Sequence, residues 1–400
     1  MLPRVSRTHA LYFLICSLFF VIFSINSSYK QQKAVLRPRL RFHDPLAVAK
    51  SPEQVKVLIE CEKLLESLPV LSAPALLIDE DLLKEIQIGK CSKLDGKRVK
   101  IAVESDSNFT TETGHFDVVH YESLPQNDYF LFENDMKRII PKHFPFRLIN
   151  NLQIPSDIPT FLEFWRRSKM IECLNLHVPR NETEVYMNAT VSTNALASLR
   201  NELLQHGMFS SLNGGTLLGW YRECTVIPHT TDMDVAIFAE DYQPGFLKSL
   251  FRNESNFKLS RKLGLLNDSF ELTVEPREEF PGLYIDIFMM YKGVKDNGEE
   301  YDWVGGSSPD GSKFKFPYTP YDPWCSADLH GHIFWVTCSP NERMKAEYGE
   351  LWYKDAPSDT FVWNSNSVPN GEWTSEQMKT VYKVYDWHGV RTHRLEEEVA

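Results

Sequence analysis

Two segments with the composition of buried β-strands carry acids where a core strand has no use for them. Asp232-Met233-Asp234-Val235-Ala236-Ile237-Phe238 is the first, and strand alternation puts Asp232 and Asp234 on one face with Met233, Val235 and Ile237 on the other. The second is Leu283–Met290, where a solitary Asp286 has only apolar or aromatic neighbours. A buried, unpaired carboxylate costs several kcal/mol, so Asp286 needs a cation, a partner or a proton. If the two strands lie close together, one divalent ion meets that need for all three acids. Oxygen ligands of this kind suit Mg²⁺ or Mn²⁺.

The residues before the Asp pair sharpen the reading. Phe209–Leu212 predicts a short strand, Asn213-Gly214-Gly215 a tight turn, and Thr216–Glu223 a helix. Lacking a Cβ, Gly214 and Gly215 let backbone N–H groups approach a phosphate, and a helix N-terminus favours negative charge. Arg222, in that helix, is either a further phosphate contact or surface charge. Strand, glycine turn, helix, Asp-x-Asp strand and a later strand with one Asp together describe a nucleotidyltransferase-type core. In such a core a metal ion neutralises a pyrophosphate while a phosphoryl group moves. A third carboxylate leaves one acid free to act as base toward an acceptor hydroxyl.

The expected fold class is α/β in the broad α+β sense, on an anchored stalk. Residues 1–9 read as a cytosolic tail and 10–25 as a transmembrane signal anchor, since Ala10–Ile25 holds no charge and no small-x-small cleavage site follows. Residues 26–50, polar and basic with scattered Pro, read as a stem. From 51 to 154 a small α/β region is expected. It has a capped helix from Ser51 to about Ser67, strands at Arg98–Glu104, Phe116–Glu122 and Phe130–Phe132, and a turn-rich break at Ile154–Pro159. Residues 155–400 form the mixed-sheet catalytic domain. Its expected parts are helices at Thr160–Lys169, from Ala195 through Leu203 to Gly207, at Gly245–Phe251 and around Glu342–Tyr348, with a further strand at Phe270–Val274.

Charge and cysteines bound the partners. The net charge of −11 argues against nucleic acid, and the first 41 residues hold seven Lys/Arg and no acid, so the rest is more acidic still. Basic residues after the span favour a cytosolic body. Six Asn-x-Ser/Thr sites, at Asn26, Asn108, Asn181, Asn188, Asn253 and Asn267, favour a lumenal one, which we adopt. Beyond Cys16 there are six cysteines, an even number that allows three disulfides in fifteen connectivities. Cys325, His330, His332 and Cys338 have the chemistry of a zinc site, with a Cys325–Cys338 disulfide and incidental histidines as the favoured alternative. Trp303, Trp324, Trp335, Trp352, Trp363 and Trp373 suit sugar stacking, although core packing is the default for most of them.

Asn213–Ile237 (NGGTLLGWYRECTVIPHTTDMDVAI) resembles the signature of the fukutin and LicD-type family. Tyr284–Phe288, Trp303-Val304-Gly305-Gly306, Lys313-Phe314-Lys315-Phe316 and Asn370-Gly371-Glu372-Trp373 extend the likeness, toward the fukutin branch rather than the bacterial choline-phosphate transferases. The resemblance covers about residues 155–375. It implies a type II membrane protein of the Golgi or ER that moves an alditol phosphate, such as ribitol 5-phosphate, from a CDP-linked donor (CDP-ribitol-like) onto an O-mannosyl-type glycan of a glycoprotein. Other Golgi glycosylation proteins are implied as partners. By matching position, Asp232, Asp234 and Asp286 are the metal and catalytic carboxylates, and Gly214, Gly215 and Thr216 the phosphate-side turn. Bacterial relatives commonly carry further Asp before the pair, where this chain has Thr230-Thr231, so cation affinity or donor choice is expected to differ. A nucleotide-sugar glycosyltransferase and a non-catalytic glycan-binding scaffold are the rival readings.

Overall fold

The computed structural model describes residues 61–385 except 92–96, 111–113, 134–135, 181–184, 278–281, 322–323 and 357–360. The expected anchor and stem lie outside the described residues, among which no helix is long and apolar enough to cross a membrane. The expected first helix is seen only in its end, residues 61–66.

Seven strands form the first sheet: β1 (Ala75–Leu77), β2 (Val99–Glu104), β3 (Phe116–Glu122), β4 (Tyr129–Glu133), β5 (Lys137–Pro141), β6 (Phe146–Ile149) and β7 (Leu152–Pro155), in the order β5-β4-β3-β2-β1-β7-β6. Helix α1 (Glu80–Ile88) starts where the Asp79 carboxylate accepts the Leu82 N–H at 2.9 Å, and stops at Gly89 in the left-handed conformation. The turn-rich break expected at Ile154–Pro159 is narrower, a bend at Ser156-Asp157. Ile154 and Pro155 finish β7, paired with β6, because Ile154 is fully buried and a Pro is tolerated at a strand end. Helix α2 (Ile158–Arg166) follows and sends Phe161, Phe164 and Trp165 into the core of the first sheet.

The second sheet has eleven strands among the described residues. Its main path runs β15 (Cys325–Leu329), β16 (His332–Val336), β8 (Ser211–Leu212), β9 (Asp232–Phe238), β12 (Tyr284–Val294), β11 (Asp268–Pro276), β10 (Phe257–Leu265) and β18 (Tyr382–Val384). Strands β13 (Glu300–Ser307), β14 (Ser312–Tyr318) and β17 (Val368–Glu372) branch from it, because β12 pairs with β11 over its first half and with β13 over its second. Gly305 permits the fork: a Cβ there would sit 2.4 Å from the Ser269 hydroxyl oxygen. Helices α3 (Ala189–Gln205), α4 (Gly214–Glu223), α5 (Pro244–Phe251), α6 (Pro340–Tyr348) and α7 (Ser375–Val381) complete this half.

Alternation along β9 and β12 decides what covers each face. Met233, Val235 and Ile237, with Ile285, Ile287 and Met289, enter a core shared with Leu196, Leu199 and Leu203 of α3 and Phe246 and Leu250 of α5. Ala236, Phe238 and Met290, on the face that carries the acids, belong instead to the core containing Phe161, Phe164 and Ile154. The two sheets are thus joined through the acid-bearing face. Residues 168–171 reinforce that junction, since Met170 N–H donates to Lys137 O at 2.9 Å and Ser326 N–H to Lys169 O at 2.8 Å.

All six cysteines beyond the first are paired, as Cys61–Cys91, Cys173–Cys224 and Cys325–Cys338. The last pair removes both thiolates from the conceivable zinc set. His330 instead contacts the Thr225 hydroxyl, and His332 contacts Asp128 and Asn194. Of the six tryptophans considered for sugar stacking, Trp324, Trp335, Trp352 and Trp373 are buried, whereas Trp363 is 44% exposed. Asn108, Asn188, Asn253 and Asn267, the glycosylation sequons among the described residues, are all exposed.

Candidate active site

Strands β9 and β12 run parallel and in register, with Asp234 opposite Asp286 and Asp232 opposite Tyr284. Parallel pairing at zero offset turns two separate sequence signals into one cluster. Asp232, Asp234 and Asp286 each offer an oxygen within 4.8 Å of the other two. Carboxylates that close repel one another, and burial strips them of water. Burial, then the charges of Asp232, Asp286 and Glu347, hold the Asp234 carboxyl well above its usual range. The Asp286 carboxyl is pushed up to about 8, by burial first and then by Glu271, with Arg261 and the Thr273 hydroxyl opposing. An all-oxygen donor set under mutual repulsion fits a hard divalent cation, which removes the strain that protonation otherwise relieves.

The glycine turn is built around Asp234. Gly214 has φ +49°, and a Cβ on it would lie 2.6 Å from Asp234 Oδ2 and 2.9 Å from Cγ. Only glycine lets the carboxylate stand there. The Gly215 N–H donates to Asp234 Oδ2 at 2.9 Å, so this amide orients the acid directly. The Thr216 hydroxyl accepts the Asp234 N–H at 2.7 Å and points its proton toward Met233 Sδ at 3.8 Å. Thr216, 3% exposed, is therefore engaged by the strand.

Arg222 is the clearer correction. It stands at the far end of α4, where its Nη1 donates to the carbonyls of Trp352 at 3.2 Å and Lys354 at 2.7 Å while Nη2 pairs with Glu223. Two helical turns separate it from Gly214, so it cannot serve the same phosphate. Arg180, His229 and Asp355 complete this buried ionic cluster.

The arginine that does reach the carboxylates is Arg261 on β10. Its Nη2 pairs with Glu271 at 2.6 Å and lies 3.6 Å from Asp286 Oδ2. Asp286 also accepts a 2.5 Å hydrogen bond from the Thr273 hydroxyl. On the other flank Arg343, within α6, donates to Asn213 Oδ1 at 2.5 Å and pairs with Glu347 at 3.2 Å, tying the residue before Gly214 to a fourth nearby acid. The Thr230 hydroxyl donates to Asp232 Oδ1 at 3.0 Å, so this Thr orients an acid. Sequence reading missed this ring of supports. The alternating Glu271-x-Thr273-x-Glu275 in an apolar strand and the i,i+4 pair Arg343/Glu347 were the signals that could have revealed it.

Residues 207–341 match the family described as LicD/FKTN/FKRP, nucleotidyltransferase domain. The chain carries a nucleotidyltransferase domain of the LicD/fukutin family. Residues 60–172 match a second family, described as W02B3.4-like, N-terminal domain. The uncharacterized protein W02B3.4 of Caenorhabditis elegans is 47% identical over 331 residues, 81% of this chain and 85% of the relative. The ribitol-5-phosphate transferase FKTN of Mus musculus is 30% identical over 247 residues, 59% of this chain and 51% of that protein, and its Homo sapiens counterpart is 29% identical over 244. The likeness to these transferases thus spans about half their length. Similarity to them supports a transferase.

Proposed function

We propose that this chain is a metal-dependent phosphotransferase that moves an alditol phosphate, ribitol 5-phosphate or a close analogue, from a CDP-linked donor to a glycan hydroxyl on a glycoprotein. The convergence of Asp232, Asp234 and Asp286 beside Gly214 carries the reading. Those three acids would hold the ion. When bound, Mg²⁺ or Mn²⁺ supplies charge neutralisation for the pyrophosphate. The acceptor oxygen forms a new bond to the phosphorus bearing the alditol, the bond to the CMP oxygen breaks, and the hydroxyl proton passes to a carboxylate of the triad. Gly215 and Thr216 keep Asp234 aimed, and Thr273 does the same for Asp286.

The uncharged run at residues 10–25 and the exposed sequons support a single-span, type II protein of the Golgi or ER membrane with its catalytic body in the lumen. Incubating the purified lumenal portion with CDP-ribitol, CDP-glycerol, CDP-choline and UDP-sugars, each with Mg²⁺ or Mn²⁺, tests the reaction. CMP release from a CDP-alditol, abolished by Asp234→Asn in a variant that still folds, is the expected result. Turnover of UDP-sugars alone, or wild-type rates in Asp234→Asn, would refute it.

A further inference from the structure

The first sheet holds a cavity of about 450 Å³ that the transferase reading does not use. Register shows how it forms. Val119 on β3 aligns with Ala102 on β2, two residues from Lys100, and Phe132 on β4 aligns with both Tyr121 on β3 and Arg138 on β5. These side chains share one face, and Lys100, Val119, Phe132 and Arg138 line the cavity together with the start of α1 and Trp165 of α2. Its volume falls in the range of small-molecule sites.

The lining has a definite polarity. Val119, Phe132 and the edge of Trp165 make an apolar floor. At one rim stand Asp79, Glu80 and Asp81. At the other, Arg138 lies 5.2 Å from the Trp165 ring centre and donates to Ser168 Oγ at 2.8 Å. Asp79 is already engaged by the N–H groups of Leu82 and Lys100, which leaves the exposed Asp81 as an acceptor. Lys100 also lines the cavity, so three carboxylates face two cations, which leaves no net positive field for a phosphorylated ligand, and charges of both signs oppose a lipid chain. A pyranose ring satisfies all of it: its hydroxyls donate to carboxylates at one edge and accept from guanidinium at the other, while its C–H face covers the aromatic floor.

We propose that this cavity binds a neutral hexopyranose unit of a glycan, as a carbohydrate site separate from the carboxylate triad. The proposal does not depend on the transferase reading, because binding is measured without a donor. The test is saturation-transfer NMR on the full chain in detergent. The probes are methyl glycosides of glucose, galactose, mannose and N-acetylglucosamine, with amino-acid zwitterions for comparison.

Transfer to the ring protons of at least one glycoside is expected. It should be lost in Met136→Trp, which fills the mouth from a 45% exposed position, and reduced in the surface variant Asp81→Asn. It should be unchanged in Asp234→Asn. No transfer to any glycoside, transfer to zwitterions alone, or transfer that survives both cavity variants but vanishes in Asp234→Asn would each overturn the proposal.

Discussion

Replacing Gly214 by Ala probes the site through a single carbon atom. The residue holds φ +49°, which costs a non-glycine roughly 1–2 kcal/mol. The added Cβ would also stand 2.6 Å from Asp234 Oδ2, so the carboxylate must withdraw by about 0.8 Å to reach ordinary contact. The backbone term alone predicts a melting temperature lower by roughly 2–4 °C. Displacing a ligand whose partners are fixed predicts Mn²⁺ binding weaker by about 10- to 100-fold. A shift approaching 1 Å predicts turnover slower by on the order of a hundredfold. Gly215→Ala is the matched control, since a Cβ there meets Asp234 Oδ2 at 3.5 Å without a positive φ. Calorimetric titration with Mn²⁺ and thermal unfolding, run on both variants, separate the two terms. Wild-type Mn²⁺ affinity in Gly214→Ala, or equal losses in the two variants, would refute the view that this glycine exists to seat Asp234.

Because Asp286 is pushed up to about 8 and Asp234 is also raised, the ion-free protein retains protons there that an unfolded chain would have released. Its stability should therefore fall as pH rises from about 4 to about 8, Mn²⁺ affinity should climb over the same interval, and binding should release protons. Calorimetry in buffers of different ionisation enthalpy checks this, and an affinity flat from about pH 6 to pH 9 would count against it. Arg222→Met should destabilise the fold by about 3 kcal/mol, since Glu223 and two carbonyls lose a buried partner, yet leave Mn²⁺ affinity unchanged. Weakened Mn²⁺ binding in a variant that still folds would restore Arg222 to the site.

Local pattern was enough for much of the fold. The strand expected at Phe116–Glu122 is observed with those bounds, and the one at Asp232–Phe238 likewise. In β9 the alternation of acid and apolar residues from Asp232 to Val235 matches alternating exposure, and in β3 the aromatic and β-branched content marks the strand. The branch strands β13 and β14 left no such trace. Glu300–Ser307 and Ser312–Tyr318 mix charge, glycine and aromatics because one side of each is only partly covered. Nor does sequence mark the fork at Gly305, which depends on how closely Ser269 of another strand approaches.

For the site, the chain by itself determined the chemistry: acids in apolar strands have few uses, and a glycine before an Asp-x-Asp strand narrows them further. Only the tertiary structure decided who stands beside whom. Parallel register brought Asp286 level with Asp234, and the length of α4 carried Arg222 away from both. It also placed Arg261 and Glu271 beside Asp286 and tied Asn213 to Arg343 of a distant helix. The physical reason is that side-chain type and strand period are local properties, whereas electrostatic partnership acts across space between segments whose separation in sequence carries no information about their distance.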